Sequence, residues 1–134
     1  MKYISVFLLL CYTSVALADD AAIARHINAH LQMLGAQVSE LNSALWLLKN
    51  EALSEADKFE RIGQPSFSAI DDALKNAGVT MKQFYQFKDD YADEIEQWLM
   101  TNSLQANQID SLQSEYDVLM SEYDQLINLT NKPN

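Results

Sequence analysis

Mostly apolar residues recur at alternating steps of four and three along the last third of the chain. This spacing is the a/d stripe of a heptad repeat, and it continues for about five repeats. The pattern predicts one helix over 81–130, about 75 Å long at ~1.5 Å per residue. The stripe consists of Tyr91, Ile95, Trp98, Asn102, Gln105, Ile109, Leu112, Tyr116, Leu119, Tyr123 and Leu126. Because a helix cannot bury its own stripe, a second helix must lie along it.

A second stripe with the same spacing comes earlier in the chain and predicts a helix over about 20–56. It consists of Ile27, Leu31, Leu34, Val38, Leu41, Leu45, Leu48 and Ala52. Asp19 and Asp20 stand where a helix N-cap belongs. The segment 45–48 is apolar on every side, which predicts that this part of the helix is covered on more than one face.

A short helix is expected between the two long ones. The run Gly63-Gln64-Pro65 is a strong break signal, and Gly78 is suited to end a helix over 67–77. We therefore predict an all-α fold: an elongated antiparallel helical hairpin or bundle with coiled-coil character, with two long helices and one short connecting helix. The single helical domain is expected over 19–130, followed by a disordered tail at 131–134.

The final helix is predicted to extend past its partner. The first helix would be roughly 55 Å long, so antiparallel pairing leaves the last ~15 residues of the final helix without a partner in the same chain. An unpaired apolar stripe favours self-association, so a homo-oligomer formed through the C-terminal helix is expected. The predicted interaction stripe is Ile109, Leu112, Tyr116, Leu119, Met120, Tyr123, Leu126 and Ile127.

The N-terminus is typical of a signal peptide. Lys2 precedes a short apolar run, and Ala16-Leu17-Ala18 is a small-x-small cleavage site. We expect residues 1–18 to be removed, giving a periplasmic or secreted protein without a membrane span. A lipoprotein acylated at Cys11 is the alternative, but the bulky residue before Cys11 argues against it. Cleavage would remove the only cysteine, which excludes thiolate chemistry.

The charge balance points to particular partners. The chain has 19 acidic and 9 basic residues, for a net charge of −10. Phosphate contacts need Lys and Arg, so nucleic acid is a poor candidate partner, and a basic protein partner, or plain colloidal solubility, fits better. An acidic face is either a solvated surface or a docking patch for such a partner. It consists of Asp89, Asp90, Asp93, Glu94 and Glu96.

Two histidines and two amides are further candidates for special roles. His26 and His30 share one helical face and could hold a metal ion, although no third ligand is evident nearby. Ordinary surface histidines are the alternative. Asn102 and Gln105 occupy stripe positions, where they either fix the register of packing or mark a kink, a hydrated layer or a small pocket. Asn128 begins a glycosylation acceptor pattern that would matter in a eukaryotic secretory pathway.

No arrangement of catalytic groups is evident in the sequence. Because the two histidines are only four residues apart and no phosphate-binding loop is present, we expect no enzyme activity and no cofactor. The function that fits best is that of an exported non-enzymatic helical protein acting through protein–protein binding, in a periplasmic accessory, chaperone-like or inhibitor/immunity-type role. The alternatives are a helical carrier of an apolar small molecule, held by the aromatic residues between 59 and 91, and a metal-responsive periplasmic factor.

Overall fold

The computed structural model describes residues 17–62 and 67–130, and its regular secondary structure there is entirely helical. The predicted all-α class is confirmed, but this part of the chain contains six helices instead of three. They are α1 (Asp20–Lys49), α2 (Glu55–Ile62), α3 (Phe67–Asn76), α4 (Met81–Asp90), α5 (Ala92–Thr101) and α6 (Ser103–Thr130). No helix in residues 17–62 or 67–130 combines the length and apolar character needed to cross a bilayer.

Three of the predictions concern residues outside the described ranges. The signal peptide falls almost entirely within residues 1–16, the Gly63-Gln64-Pro65 break lies in 63–66, and the predicted tail is 131–134. These three stay predictions from sequence.

The first long helix ends at Lys49, so its predicted extension to residue 56 is wrong. The Asn50 side-chain oxygen accepts a hydrogen bond from the Ala52 N–H at 3.1 Å. The Ser54 hydroxyl then accepts one from the Asp57 N–H at 3.2 Å. Short polar side chains of this kind offer the backbone partners that compete with a helix. Asn50 therefore ends α1, and Ser54 caps the start of α2.

The predicted continuous helix over 81–130 is also wrong, because it is interrupted at Tyr91 and at Asn102. In a regular helix the Asn102 N–H would bind the carbonyl oxygen of Trp98. Here the Asn102 side-chain amide donates to that oxygen at 2.7 Å. The backbone N–H of Asn102 instead reaches the carbonyl of Leu99 at 3.2 Å. The Asn102 side chain thus takes the place of its own backbone N–H as the donor to Trp98, and this separates α5 from α6.

α1 supplies most of the buried hydrophobic residues of the described structure. Of the predicted stripe residues, Ile27, Leu34, Val38, Leu45 and Leu48 are buried. The partners differ along the helix: α3 and α4 cover the first half of α1, and α6 makes the most extensive contact with it. The spacing of apolar residues therefore identified which face of α1 is inside.

α5 and α6 together run in the same general direction as α1, whereas α4 runs the other way: Phe84 packs near Ala29 and Met33, and Tyr91 shares a groove with Ala22. At one end, the His26 ring of α1 stacks on the Phe84 ring of α4, with centroids 4.5 Å apart. At the other end, the Lys49 ammonium pairs with the Glu122 carboxylate at 2.6 Å. Both sequences ascend between these contacts, so the expected antiparallel hairpin is replaced by a different arrangement, in which the short helices α2 and α3 make the return path.

A small hydrophobic cluster fixes α3 and α4 onto α1. It is built from Ala29 and Met33 of α1, Leu74 of α3 and Phe84 of α4, all buried. Leu74 and Ala29 have no exposed surface. Residues from three helices therefore meet at this end of the molecule.

Candidate functional site

The turn between α3 and α4 orients the aromatic residues of α4. Gly78 adopts φ +80°, a conformation that other residues rarely take, and it ends α3. The Thr80 hydroxyl then accepts a hydrogen bond from the Gln83 N–H at 3.2 Å, while the Gln83 side chain accepts one from the Thr80 N–H at 2.9 Å. This capping box starts α4 at a defined angle. The first turns of α4 therefore carry Phe84 and Phe87 onto α1.

The His26 ring lies between two phenyl rings. Its centroid is 4.5 Å from that of Phe84 at an interplanar angle of 15°, and 5.0 Å from that of Phe87 at 24°. Phe87 also packs against Tyr91, with centroids 4.7 Å apart. His26 is only 6% exposed. The imidazole is thus part of the α1–α4 interface, not a surface group.

Both histidines are held in the neutral form. Burial, followed by the charges of His30 and Lys88, lowers the pKa of His26 from its usual 6.5 to about 4. Burial, followed by the charge of Lys88, also lowers the pKa of His30. A neutral imidazole is able to accept a hydrogen bond or bind a metal at neutral pH.

The structure does not test the predicted metal site at His26 and His30. In the described residues, no group of three or more His, Cys, Asp or Glu side chains is placed to hold a metal ion. The phenyl rings of Phe84 and Phe87 cover both faces of His26, which leaves the edge of the ring as its only approach. Metal binding by this pair stays a prediction.

A groove beside the aromatic stack opens to solvent between α1 and α4. Its volume is about 360 Å³, near the lower end of the roughly 300–1,000 Å³ typical of ligand pockets. It is lined by Ala22, Arg25, His26, Gly78, Val79, Gln83, Phe84, Gln86, Phe87, Asp90 and Tyr91. His26 makes no hydrogen bond in the described structure. Its imidazole is one of the groups that line this groove.

Three cations of α1 and α4 form no ion pair within the described residues. Lys49, Lys58 and Lys75 form ion pairs with Glu122, Glu55 and Asp71 respectively. By contrast, Arg25, Lys82 and Lys88 have no carboxylate within ion-pair distance in the part of the chain that the structure describes. The aromatic groove thus has available positive charge close to it.

The predicted acidic face is divided between two helices. Asp89 and Asp90 end α4, whereas Asp93, Glu94 and Glu96 belong to α5, beyond the interruption at Tyr91. All but Glu94 are exposed. The acidic region also extends further than the prediction, because residues 89–131 contain ten acids and no Lys, Arg or His. The net negative charge of the protein is concentrated in α5, α6 and the end of α4.

The predicted interaction stripe on α6 is not free of an intrachain partner. All eight of its residues, Ile109, Leu112, Tyr116, Leu119, Met120, Tyr123, Leu126 and Ile127, are half-buried. α6 lies along α1 over an extensive contact, so much of this stripe has a partner in the same chain. Glu122 of α6 pairs with Lys49, the last residue of α1, and α6 continues beyond that point to Thr130. Self-association through this stripe stays a prediction.

Other exposed apolar residues were missed by the sequence analysis. Trp46 is 65% exposed, although it lies in the segment expected to be covered on several faces. Met100, Leu104 and Val118 are 72%, 66% and 65% exposed. All four lie off the heptad stripes, so their places in the sequence could have identified them as exposed. They are the strongest candidates for contact with another molecule.

The fold and these surfaces define an all-α protein with an aromatic groove at one end and a strongly acidic outer surface along α5 and α6. Comparison with protein families, curated proteins and solved structures finds no match to this chain.

Proposed function

We propose that this protein is an exported, non-enzymatic binding protein that holds a basic protein partner on the outer surface of α5 and α6. A periplasmic accessory, chaperone-like or inhibitor/immunity-type role fits such a partner. The observation that carries the proposal is the stretch 89–131, with ten acids and no cation, combined with exposed apolar residues on the same helices.

Unpaired charge supports a basic partner. Among the ten acids, only Glu122 pairs with a cation in the described structure, and it does so with Lys49. Electrostatic complementarity mainly raises the association rate and selects the partner's sign of charge. Complexes formed on this surface should therefore weaken as salt is added.

Apolar groups between the acids supply the affinity that charge alone does not. On α5, Glu96 and the 72% exposed Met100 are four residues apart and share a face. On α6, Val118 lies on the same surface as Asp110 and Asp117. An interface centre of desolvated apolar side chains with a charged rim is the usual arrangement of protein complexes.

The expected cleavage point lies just before the first helix. α1 begins at Asp20, and the Asp19 side chain accepts a hydrogen bond from the Ala22 N–H at 2.6 Å. Cleavage after Ala18 would leave this cap and all six helices intact. N-terminal sequencing of the protein recovered outside the cytoplasm tests this point, and an intact N-terminus there would contradict it.

The partner can be sought with a matched pair of variants. The wild-type chain, a Met100→Ser/Val118→Ser variant and a Trp46→Ser control are immobilised and exposed to extract from the same compartment. We expect a basic protein to be retained by wild type and control but not by the α5–α6 variant, and to be released by about 0.3 M salt. Retention that is equal on all three, or a retained protein that is acidic, would contradict the proposal.

Self-association through α6 is a second arrangement that we propose from the half-buried stripe. Because two copies would bring like charges together, added salt should strengthen this contact, whereas it should weaken binding of a basic partner. Sedimentation velocity at low and high salt separates the two arrangements. A monomer under both conditions would rule out the homo-oligomer.

A carrier of an apolar small molecule is the second candidate function, and the groove between α1 and α4 favours it. Its walls include the rings of His26, Phe84, Phe87 and Tyr91. A neutral environment-sensitive dye should bind there, and Tyr91→Leu should weaken it. Undiminished binding by this variant would exclude the groove as the carrier site.

A further inference from the structure

The groove between α1 and α4 combines aromatic walls with an unpaired cation. Arg25 lines it and makes no ion pair in the described residues. Lys88 contributes to the lowered pKa of both His26 and His30, so its ammonium lies near the two imidazoles. In a chain of net charge −10, the groove is lined by one cation, Arg25, and one acid, Asp90.

The aromatic side chains offer a platform for a flat ring. Phe87 contacts His26 on one side and Tyr91 on the other, with ring centroids 5.0 Å and 4.7 Å apart. Rings in such a series can extend their stacking to a further ring from a ligand. The His26 imidazole, which also lines the groove, adds a polar group beside this platform.

We propose that the α1–α4 groove binds a small, flat aromatic anion, whose ring packs on Phe87 and Tyr91 and whose charge pairs with Arg25. This proposal rests on the carrier function and specifies the chemical class of its cargo. The guanidinium presents a planar set of donors that matches a carboxylate or sulfonate. Asp90 also lines the groove, so the anionic group sits on the α1 side, next to Arg25 and away from Asp90.

Two related dyes separate the contributions of ring and charge. Anilinonaphthalene sulfonate carries an anionic group, and phenylnaphthylamine has the same ring systems without it. Both are titrated by fluorescence at about 0.15 M salt, where attraction from charges beyond ~8 Å is screened. The wild-type protein should bind the sulfonate about tenfold more tightly than the neutral dye, as expected for one charge-assisted contact.

Matched variants then locate the charge. Arg25→Gln should remove the tenfold preference for the sulfonate while leaving binding of the neutral dye unchanged. Lys82→Gln is the control. Lys82 is also exposed and unpaired in the described residues, but it lies in the first turn of α4 and does not line the groove. This variant should preserve the preference. Since Arg25 and Lys82 are exposed and unpaired, neither change should disturb the fold, which far-UV circular dichroism verifies.

Each alternative result has a distinct meaning. Equal affinity for the two dyes in wild type, with no effect of Arg25→Gln, would overturn the proposal but leave the carrier function standing. Equal losses in Arg25→Gln and Lys82→Gln would also overturn it, because general charge and not the groove would then attract the anion. Failure of both dyes to bind would overturn the proposal and the carrier function together.

Discussion

Acidification should destabilise this protein through His26. The ring is buried between Phe84 and Phe87, and burial with the nearby charges of His30 and Lys88 lowers its pKa to about 4. In the unfolded chain the pKa returns to about 6.5. The folded state therefore binds fewer protons than the unfolded state between these values, so its stabilisation is complete above pH 6.5 and is lost as the pH falls towards 4.

The size of this effect follows from the two pKa values. At about 1.36 kcal/mol per pH unit, lowering the pKa from 6.5 to about 4 corresponds to roughly 3 kcal/mol of unfolding free energy. That is a large share of the ~5–15 kcal/mol that stabilises a typical domain. At a urea slope of ~1.5 kcal/mol per M, the unfolding midpoint should fall by about 2 M from this group alone.

Carboxylates titrate over part of the same range, so the effect of His26 must be isolated by a variant. Urea unfolding followed by circular dichroism is measured from pH 7.5 to 4 for wild type, His26→Leu and the exposed control Asn28→Ala. His26→Leu should show a much shallower loss of stability with falling pH, whereas Asn28→Ala should match wild type. Because the chain contains two histidines, NMR also reports each ring directly.

Two results would refute the reasoning. One is an identical pH dependence in His26→Leu and wild type. The other is an NMR titration that places the pKa of His26 at 6.5 or above. The second result would mean that the phenyl faces of Phe84 and Phe87 stabilise the imidazolium through cation–π attraction more than burial penalises it.

Three further predictions concern the fold. Leu74→Ala should cost about 3 kcal/mol in urea unfolding because Leu74 is fully buried, whereas Leu104→Ala should change stability by less than ~0.5 kcal/mol; equal effects would contradict the described core. Neither Gly35 nor Gly78 has an atom within 4 Å of an added Cβ, so backbone conformation alone should decide the effect of alanine. In thermal melts, Gly35→Ala should stabilise the protein by about 1 kcal/mol, and Gly78→Ala, at φ +80°, should destabilise it by about 1 kcal/mol. Changes of the same sign would contradict this backbone assignment. A short thiol cross-linker should join Lys49→Cys to Glu122→Cys within one chain but not Arg25→Cys to Glu122→Cys, and mass spectrometry showing the reverse would disprove the direction of packing.

Local chemistry made part of the fold predictable. The buried face of α1 follows from the spacing of Ile27, Leu34 and Val38, because that spacing alone determines which residues share a side of a helix. The end of α3 follows from Gly78, and the start of α4 from Thr80 with Gln83 three residues later. Each of these signals involves residues within one or two helical turns.

The interruptions were not predictable from apolar spacing. Asn102 occupies a heptad position. It interrupts the helix because its side-chain amide donates to the Trp98 carbonyl oxygen, which a backbone N–H would bind in a regular helix. Of the alternatives left open for the two amides, a kink is what the structure shows at Asn102, whereas Gln105 lies within α6. Asn50 ends α1 by the same kind of competition. The spacing of apolar residues shows which of them face inward, but it does not show whether the helix backbone is continuous.

The candidate site was predictable only in part, for a different reason. Four-residue spacing shows that His26 and His30 share a face, and this suggested a metal site. What surrounds that face depends on how α4 docks against α1, which is set by contacts far apart in sequence. The stacking of His26 on Phe84 and Phe87 therefore required the tertiary structure. The same holds for the position of Arg25 beside the groove.

The direction of packing links the interruptions to the functional surface. From Phe84 to Glu122 an unbroken helix would span about 57 Å, whereas His26 and Lys49, their neighbours on α1, are about 35 Å apart along one helix. A straight helix would carry α6 beyond the end of α1, so breaks at Tyr91 and Asn102 allow it to lie alongside. The apolar stripe of α6 is then partly covered by α1, and the most exposed apolar side chains of α5 and α6 are those off the stripe. That is why the acidic and exposed outer face, and not the heptad stripe, is the surface to test first.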